Sequence, residues 1–124
     1  MSYTISNLRD VKDEAAEFGM GEIQESRFPR ADVGAEQTGL AYHRIKPGQR
    51  TPFAHQHDQA EEVHVVLSGS GRAILDDEVV DLRALDVLRV APEVTRTFEA
   101  GPDGLEYLVF GPRHEGDGRV IRDG

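Results

Sequence analysis

Residues 48–69 read GQRTPFAHQHDQAEEVHVVLSG and join a turn, a histidine pair and a strand-like run. Side chains alternate along an extended segment, so His55 and His57 project to one face. After a short turn at residues 58–60, Glu62 begins the next predicted strand and can return a carboxylate to that face. Two imidazoles and one carboxylate suit a divalent first-row metal and leave positions open for water or substrate. A His-x-His pair in an exposed loop can equally be solvated and bind nothing.

Strand-like segments surround this stretch. Seven of them are rich in Val, Ile, Leu, Phe or Tyr: residues 39–45, 62–67, 71–75, 79–82, 87–91, 95–100 and 105–110. Residues 76–78, DDE, are typical of a tight hairpin turn. Short strands at regular spacing, with no helices between them, predict an all-β antiparallel sandwich or barrel.

The composition is that of a small acidic protein of one domain. The chain has 124 residues, no cysteine, and 14 Lys and Arg against 23 Asp and Glu, for a net charge of −9. This charge repels phosphate backbones and anionic lipid, so we expect neither nucleic acid nor a membrane as partner. The lack of cysteine excludes disulfides and thiolate metal sites. Because the first 20 residues contain no apolar secretory segment, we expect a cytoplasmic protein.

The histidine pair opens a spaced motif that is characteristic of one superfamily. His-x-His, four residues, Glu, six residues and Gly form the first cupin motif, matched by His55, His57, Glu62 and Gly69. Over roughly residues 37–111 the chain resembles a small single-domain cupin. The Pro47-Gly48 turn also fits, although Gly48 lies one residue further from the histidines than usual. The resemblance implies a double-stranded β-helix, a jelly-roll barrel with its site inside the mouth.

The second cupin motif falls on residues 85–100 and is degenerate. Leu85 stands where Gly is expected, and Ala-Pro-Glu at residues 91–93 replaces Pro-x-Gly. Arg96 occupies the His position and Ala100 the Asn position. Arginine stays protonated and has no lone pair to offer, so Arg96 cannot act as the missing ligand.

Two arrangements of the pocket remain open. In one, His55, His57 and Glu62 hold Fe, Mn, Ni or Zn, and Arg96 faces an anionic substrate group that shields it from the cation. In the other, Arg96 pairs with Glu62 and replaces the metal altogether. Neither arrangement needs an organic cofactor.

Further side chains are predicted to line the pocket. His64 shares the strand face of the carboxylate and could be a substitute ligand, a general base or a satisfied core histidine. Phe53 and Phe98 share strand parity with the histidine pair and with Arg96, respectively, and are predicted to line the pocket. The facing of His43 is not fixed by the sequence.

The ends of the chain are predicted to flank the barrel. Residues 7–17, NLRDVKDEAAE, predict a short N-terminal helix that Asn7 caps and that glycines at 19 and 21 end. We therefore expect one structural domain with an N-terminal helix and arm at 1–36, a cupin barrel at 37–112 and a polar tail at 113–124. Val120 and Ile121 could attach that tail to the barrel.

Two functions compete. The first is metal-dependent chemistry, as a dioxygenase, isomerase or related lyase, on a small polar or carboxylated molecule. The second is a metal-free module that binds or senses a small molecule, with Arg96 contacting an anionic ligand. A third class, metal-independent sugar epimerase chemistry, would need His64 to act with Tyr42 or Tyr107. Fold-level resemblance does not choose among them.

Assembly is predicted from the alternation in the strand after the motif. Val63, Val65 and Leu67 alternate with the residues expected to face the pocket, so an apolar outer face needs covering. A second copy of the chain would cover it, and small single-barrel cupins are commonly dimers. We therefore expect a homodimer.

Overall fold

A computed structural model describes residues 2–52, 54–57, 60–112 and 118–121, without the side chains of His55 and of residues 118–121. Strands dominate the described chain. They are β1 (Gln24–Arg27), β2 (Thr38–Ile45), β3 (Ala54–His57), β4 (Glu62–Leu75), β5 (Glu78–Arg83), β6 (Val87–Val90), β7 (Arg96–Pro112) and β8 (Gly118–Ile121). The helical elements are 3-10 turns at Leu8–Asp10 and Ala15–Phe18 and one helix, α1 (Arg30–Val33). The predicted all-β class is confirmed.

All the strands belong to one antiparallel sheet that bends around a core. The strands run in the order β1, β2, β7, β3, β8, and β4 joins this path through β7 while also pairing with β5 and β6. β7 pairs with β2 over residues 105–112, with β4 between residues 96 and 110, and with β3 at Arg96. It therefore brings the first motif and the degenerate second motif together.

The long strands β4 and β7 each join two segments that the sequence predicts as separate strands. Their pairing contains register shifts between Val66 and Ser68 and between Gly69 and Gly71. Gly69 has φ +81°, and a Cβ there would lie 2.0 Å from the carbonyl oxygen of Gly104. The strands therefore bend at a glycine bulge instead of ending at the glycines.

Buried side chains from four strands of this sheet form the hydrophobic core. β2, β4, β5 and β7 supply Ile45, Val66, Ala73, Leu82, Phe98, Ala100, Leu105, Tyr107 and Val109. Every one of them is apolar or aromatic, and burial of that surface is the main force that closes the barrel. Phe98 and Tyr107 also line the cavity described below.

The N-terminal segment differs from the continuous helix predicted over residues 7–17. Asn7 accepts a hydrogen bond from the backbone of Arg9 as predicted, but the first turn ends at Val11, whose backbone is extended at φ −82° and ψ 134°. Val11 is buried, and its burial directs the chain out of the helical path. The predicted helix is therefore two separate 3-10 turns.

A strand that the sequence analysis missed lies between the N-terminal turns and the barrel. The Asp13 carboxylate accepts hydrogen bonds from the backbone of Ala15 at 3.0 Å and of Ser26 at 2.9 Å. This attaches the N-terminal turns to β1, which pairs with β2 along its whole length.

No helix among the described residues is long and apolar enough to cross a membrane.

The C-terminal tail supplies one described strand. The backbone of β8 pairs with β3, with Val120 opposite His55 and Ile121 opposite Ala54. The rest of the predicted polar tail, residues 113–117 and 122–124, lies outside the described residues.

Candidate functional site

A cavity of about 240 Å³ lies inside the barrel, and side chains from β1, β2, β3, β4 and β7 line it. Its ionisable lining residues are His43, His57, Glu62, His64, Arg96 and Tyr107, and its other lining residues are Gln24, Phe28, Ala41, Thr51, Phe98 and Val109. Charged, hydrogen-bonding and aromatic groups that line one cavity are typical of a small-molecule site.

Glu62 lies at the centre of the charged part of the cavity. Its Oε1 atom is 3.4 Å from His57 Nε2, 3.8 Å from Arg96 Nη1 and 4.0 Å from His64 Nε2. Burial alone would raise the pKa of this carboxyl, but the interactions with His57, His64 and Arg96 outweigh burial and lower the pKa. Glu62 is therefore ionised at neutral pH.

Arg96 is a buried cation with unused hydrogen-bond donors. Its side chain is 2% exposed, and Nη2 donates to the carbonyl oxygen of Ala91 at 2.7 Å. Nε and Nη1 have no hydrogen-bond partner among the described residues, since Glu62 lies beyond hydrogen-bond distance. Burial lowers the pKa of Arg96, but a guanidinium has so high an intrinsic pKa that it keeps its charge.

His64 is neutral at pH 7 in this environment. The residue is 3% exposed, and its ring centroid lies 4.9 Å from that of Phe98 and 5.9 Å from that of Tyr107. Burial lowers the pKa of His64 to about 4, although the neighbouring Glu62 favours the charged form. The cavity therefore contains one neutral imidazole beside the Glu62 and Arg96 charges.

His43 is a lining residue that the sequence analysis left unplaced. Ser26 Oγ lies 2.9 Å from His43 Nδ1, and Gln24 donates to the same hydroxyl at 2.8 Å. The ring contacts Tyr107 and Phe28, with centroids 5.4 and 5.7 Å apart. These contacts hold His43 in one orientation on the cavity wall.

The other predicted lining residues have different outcomes. Phe98 lines the cavity, whereas Phe53 and the side chain of His55 lie outside the described residues. One signal in the sequence could have placed His43. Ile45 lies two residues further along the same strand and is buried, so strand alternation puts both side chains on the same face.

The predicted metal ligands are placed only in part. His57 and Glu62 meet as predicted from their spacing, and the backbone of His55 pairs with that of Arg96. Within the described part of the chain, no group of three or more His, Asp or Glu side chains is arranged to hold a metal ion. The metal role of these residues stays a prediction.

The position of Arg96 determines how well the described metal-ligating side chains fit a cation. Its Nη1 atom lies 3.8 Å from Oε1 of Glu62, one of the predicted ligands. A guanidinium cannot ligate, and it repels a cation at this range unless an anion lies between them. As they stand, the described residues fit an oxyanion better than a metal ion.

Comparison with known proteins places this site in a widespread fold. The family model for the cupin domain matches residues 41–110. A cupin protein from Bacteroides fragilis is 23% identical with a TM-score of 0.73, and the alignment covers 100% of this chain and 96% of that one. The polyketide cyclase RemF from Streptomyces resistomycificus is 21% identical with a TM-score of 0.78, covering 97% and 86%.

A third solved structure extends the same likeness. A sugar phosphate isomerase of the cupin superfamily from Silicibacter pomeroyi is 17% identical with a TM-score of 0.72, covering 96% of this chain and 92% of that one. No curated protein sequence matches the chain significantly. At these identities, the structural likeness describes the fold and not the reaction.

Proposed function

This chain belongs to the cupin family, and from that premise we propose that its cavity binds a small molecule carrying an oxyanion, with Arg96 as the anchor. The observation that carries the proposal is the guanidinium, which is 2% exposed and has two donor atoms without a hydrogen-bond partner among the described residues. A buried charged donor left unpaired is costly, and an oxyanion that accepts a hydrogen bond from at least one of these two atoms would reduce that cost.

The charges around Arg96 are compatible with an entering anion. Glu62 balances the guanidinium through space at 3.8 Å without accepting a hydrogen bond from it. An incoming oxyanion meets the negative charge of Glu62, and His57 Nε2 lies 3.4 Å from that carboxylate and interacts favourably with it. His57 thus reduces the repulsion between Glu62 and the ligand, while Arg96 supplies the hydrogen bonds.

Thermal unfolding in the presence of simple oxyanions tests the proposal. The protein is treated with a chelator and melted with increasing acetate, formate or phosphate, using chloride at equal ionic strength as the control. We expect the melting temperature to rise with ligand concentration, because a ligand that binds only the folded state stabilises it. A melting temperature that is the same in every oxyanion as in chloride would contradict the proposal.

A second candidate function is metal-dependent chemistry, as a dioxygenase or isomerase. The observation in its favour is that two imidazole nitrogens, from His57 and His64, lie 3.4 and 4.0 Å from the same oxygen of Glu62. With His55, these residues would hold Fe, Mn, Ni or Zn. The metal would supply Lewis-acid or redox chemistry to a substrate whose anionic group separates the ion from Arg96.

Metal content separates the two candidates. If the second holds, protein purified without chelators contains close to one metal ion per chain by plasma mass spectrometry, and Glu62→Gln or His57→Ala loses it. The matched control is Glu61→Gln, because Glu61 is the exposed neighbour that pairs with Arg89. Protein that stays metal-free after incubation with all four metals would exclude this candidate.

We also propose that the chain forms a homodimer through the outer face of the sheet. Val63 lies opposite Phe110 of β7, and Val65 lies opposite Val87 of β6. Leu67, Val87 and Phe110 are exposed, whereas Val63 and Val65 are half-buried. The proposed interface is the apolar surface that these side chains provide beside Arg89, which lies opposite Val63 on β6. A surface of this kind is typical of an interface between subunits.

Light scattering after size exclusion tests the dimer. The wild type is expected at twice its chain mass of 13.7 kDa. Val87→Lys should shift the population toward monomer, since it places a charge in the apolar face. Val79→Lys, at an exposed valine of β5, serves as the control and should leave the dimer intact. A monomeric wild type would contradict the proposal.

A further inference from the structure

Aromatic and imidazole rings form a continuous series along the cavity. Neighbouring ring centroids are 4.9 to 5.7 Å apart, in the order Phe28, His43, Tyr107, Phe98 and His64. All five residues line the same cavity as Arg96. Arg96, the anchor proposed above, therefore lies in a cavity whose lining consists largely of ring surfaces.

The series runs from the surface to the interior. Phe28 is 42% exposed, whereas Tyr107, Phe98 and His64 are buried. Burial raises the pKa of the Tyr107 hydroxyl, so this ring is a neutral phenol. The inner part of the series is thus ring surface that shares the cavity with the Arg96 guanidinium and the Glu62 carboxylate.

The size of the cavity limits the ligand. Its volume of about 240 Å³ equals the share of roughly eight water molecules in the liquid and is below the usual range for drug-sized ligands. A second cavity of about 300 Å³ shares Phe28, Ala41, His57, Glu62 and Val109 with it. A single ring that carries a carboxylate has a size suited to the first cavity, and a substituent on that ring can extend toward the second cavity.

We infer that the ligand is a small planar carboxylate, an aromatic or conjugated acid of about the size of benzoate. Its carboxylate accepts hydrogen bonds from Arg96, and its flat face packs against the rings of Tyr107 and Phe98. This inference rests on the proposed function, because it requires the oxyanion anchor. It adds that the body of the ligand is a π system, because an aromatic pair is stabilised by more than the area that it buries.

Calorimetric titration of the chelator-treated chain with four probes tests the inference. The probes are benzoate, cyclohexanecarboxylate, acetate and benzamide. We expect benzoate to bind about fivefold tighter than cyclohexanecarboxylate, which has a similar size but no π face. Benzoate should also bind at least about tenfold tighter than acetate, which lacks a ring to bury, and than benzamide, which lacks the charge.

Variants of the ring series give an independent test. Phe98→Leu keeps an apolar side chain but removes a ring, so the preference for benzoate over cyclohexanecarboxylate should fall toward one. If Phe98→Leu does not fold, the wild-type ratio still decides. Val66→Leu, a core substitution outside the lining, should leave the ratio unchanged.

The outcomes separate the inference from the function on which it rests. If acetate binds and cyclohexanecarboxylate equals or exceeds benzoate, the π ligand is wrong while the oxyanion anchor stands. If no carboxylate binds, both are wrong. If benzamide binds as tightly as benzoate, the ring contacts operate without the anchor, and the proposed role of Arg96 is overturned.

Discussion

Replacement of Arg96 by methionine is expected to weaken benzoate binding by roughly 100-fold. Methionine keeps much of the aliphatic stem but removes the charge and the two donors that have no hydrogen-bond partner among the described residues. Losing a buried, charge-assisted partner of a bound anion costs about 3 kcal/mol, which corresponds to that factor in the dissociation constant. Calorimetric titration of the wild type and Arg96→Met under the same conditions measures the ratio.

Two further variants distinguish a local effect from a general loss of positive charge. Arg89→Met removes a guanidinium that is mostly exposed and paired with Glu61, so the dissociation constant should stay within about twofold. Arg96→Lys keeps the charge but loses the forked donors, so its affinity should be intermediate. If Arg96→Met binds within about threefold of the wild type, Arg96 is not the anchor.

Acidification is expected to destabilise the wild type more than a His64→Asn variant, by about 3 kcal/mol between pH 7 and pH 4. An unfolded His64 takes up its proton near pH 6.5, whereas the folded residue does so only near pH 4. Between these values the unfolded state binds more protons, so the contribution is fully present above pH 6.5 and is lost as the pH falls toward 4. A difference of about 2.5 in pKa corresponds to that energy.

Urea unfolding of both proteins across this pH range measures the effect. The charged and titratable groups that face His64 are Glu62, Arg96 and His57, and all three are present in both proteins. Their own titration therefore largely cancels in the difference between the two curves. Parallel curves for wild type and variant would show that His64 is protonated as easily in the folded chain as in the unfolded one.

The meeting of His57 with Glu62 was predictable because it depends on local geometry. Strand periodicity places the histidine side chain, and a short turn returns the chain to the carboxylate. Arg96 approaches the same carboxylate only because β7 pairs with both β3 and β4. That register depends on tertiary pairing, so the sequence left open whether Arg96 pairs with Glu62 or faces a ligand.

Strand β1 was missed because its sequence, QESR, has no apolar residue to signal burial. Gln24 and Ser26 can be buried because Gln24 donates a hydrogen bond to Ser26, and Ser26 is hydrogen-bonded to His43 at the cavity wall. Polar residues that are buried through hydrogen bonds follow no hydrophobic period, so periodicity cannot find them. The continuity of β4 was hidden for another reason, since Gly69 looks like a strand end but forms a bulge.

The central claim is that Arg96 binds an oxyanion inside the barrel, and nuclear magnetic resonance of its side chain tests that claim most directly. The Nε–H resonance of Arg96 is assigned in ¹⁵N-labelled, chelator-treated protein by its loss in Arg96→Lys. During titration with benzoate, this resonance should move and saturate with the calorimetric dissociation constant, while that of the exposed Arg89 stays fixed. An Arg96 resonance that stays fixed while benzoate binds would contradict the account.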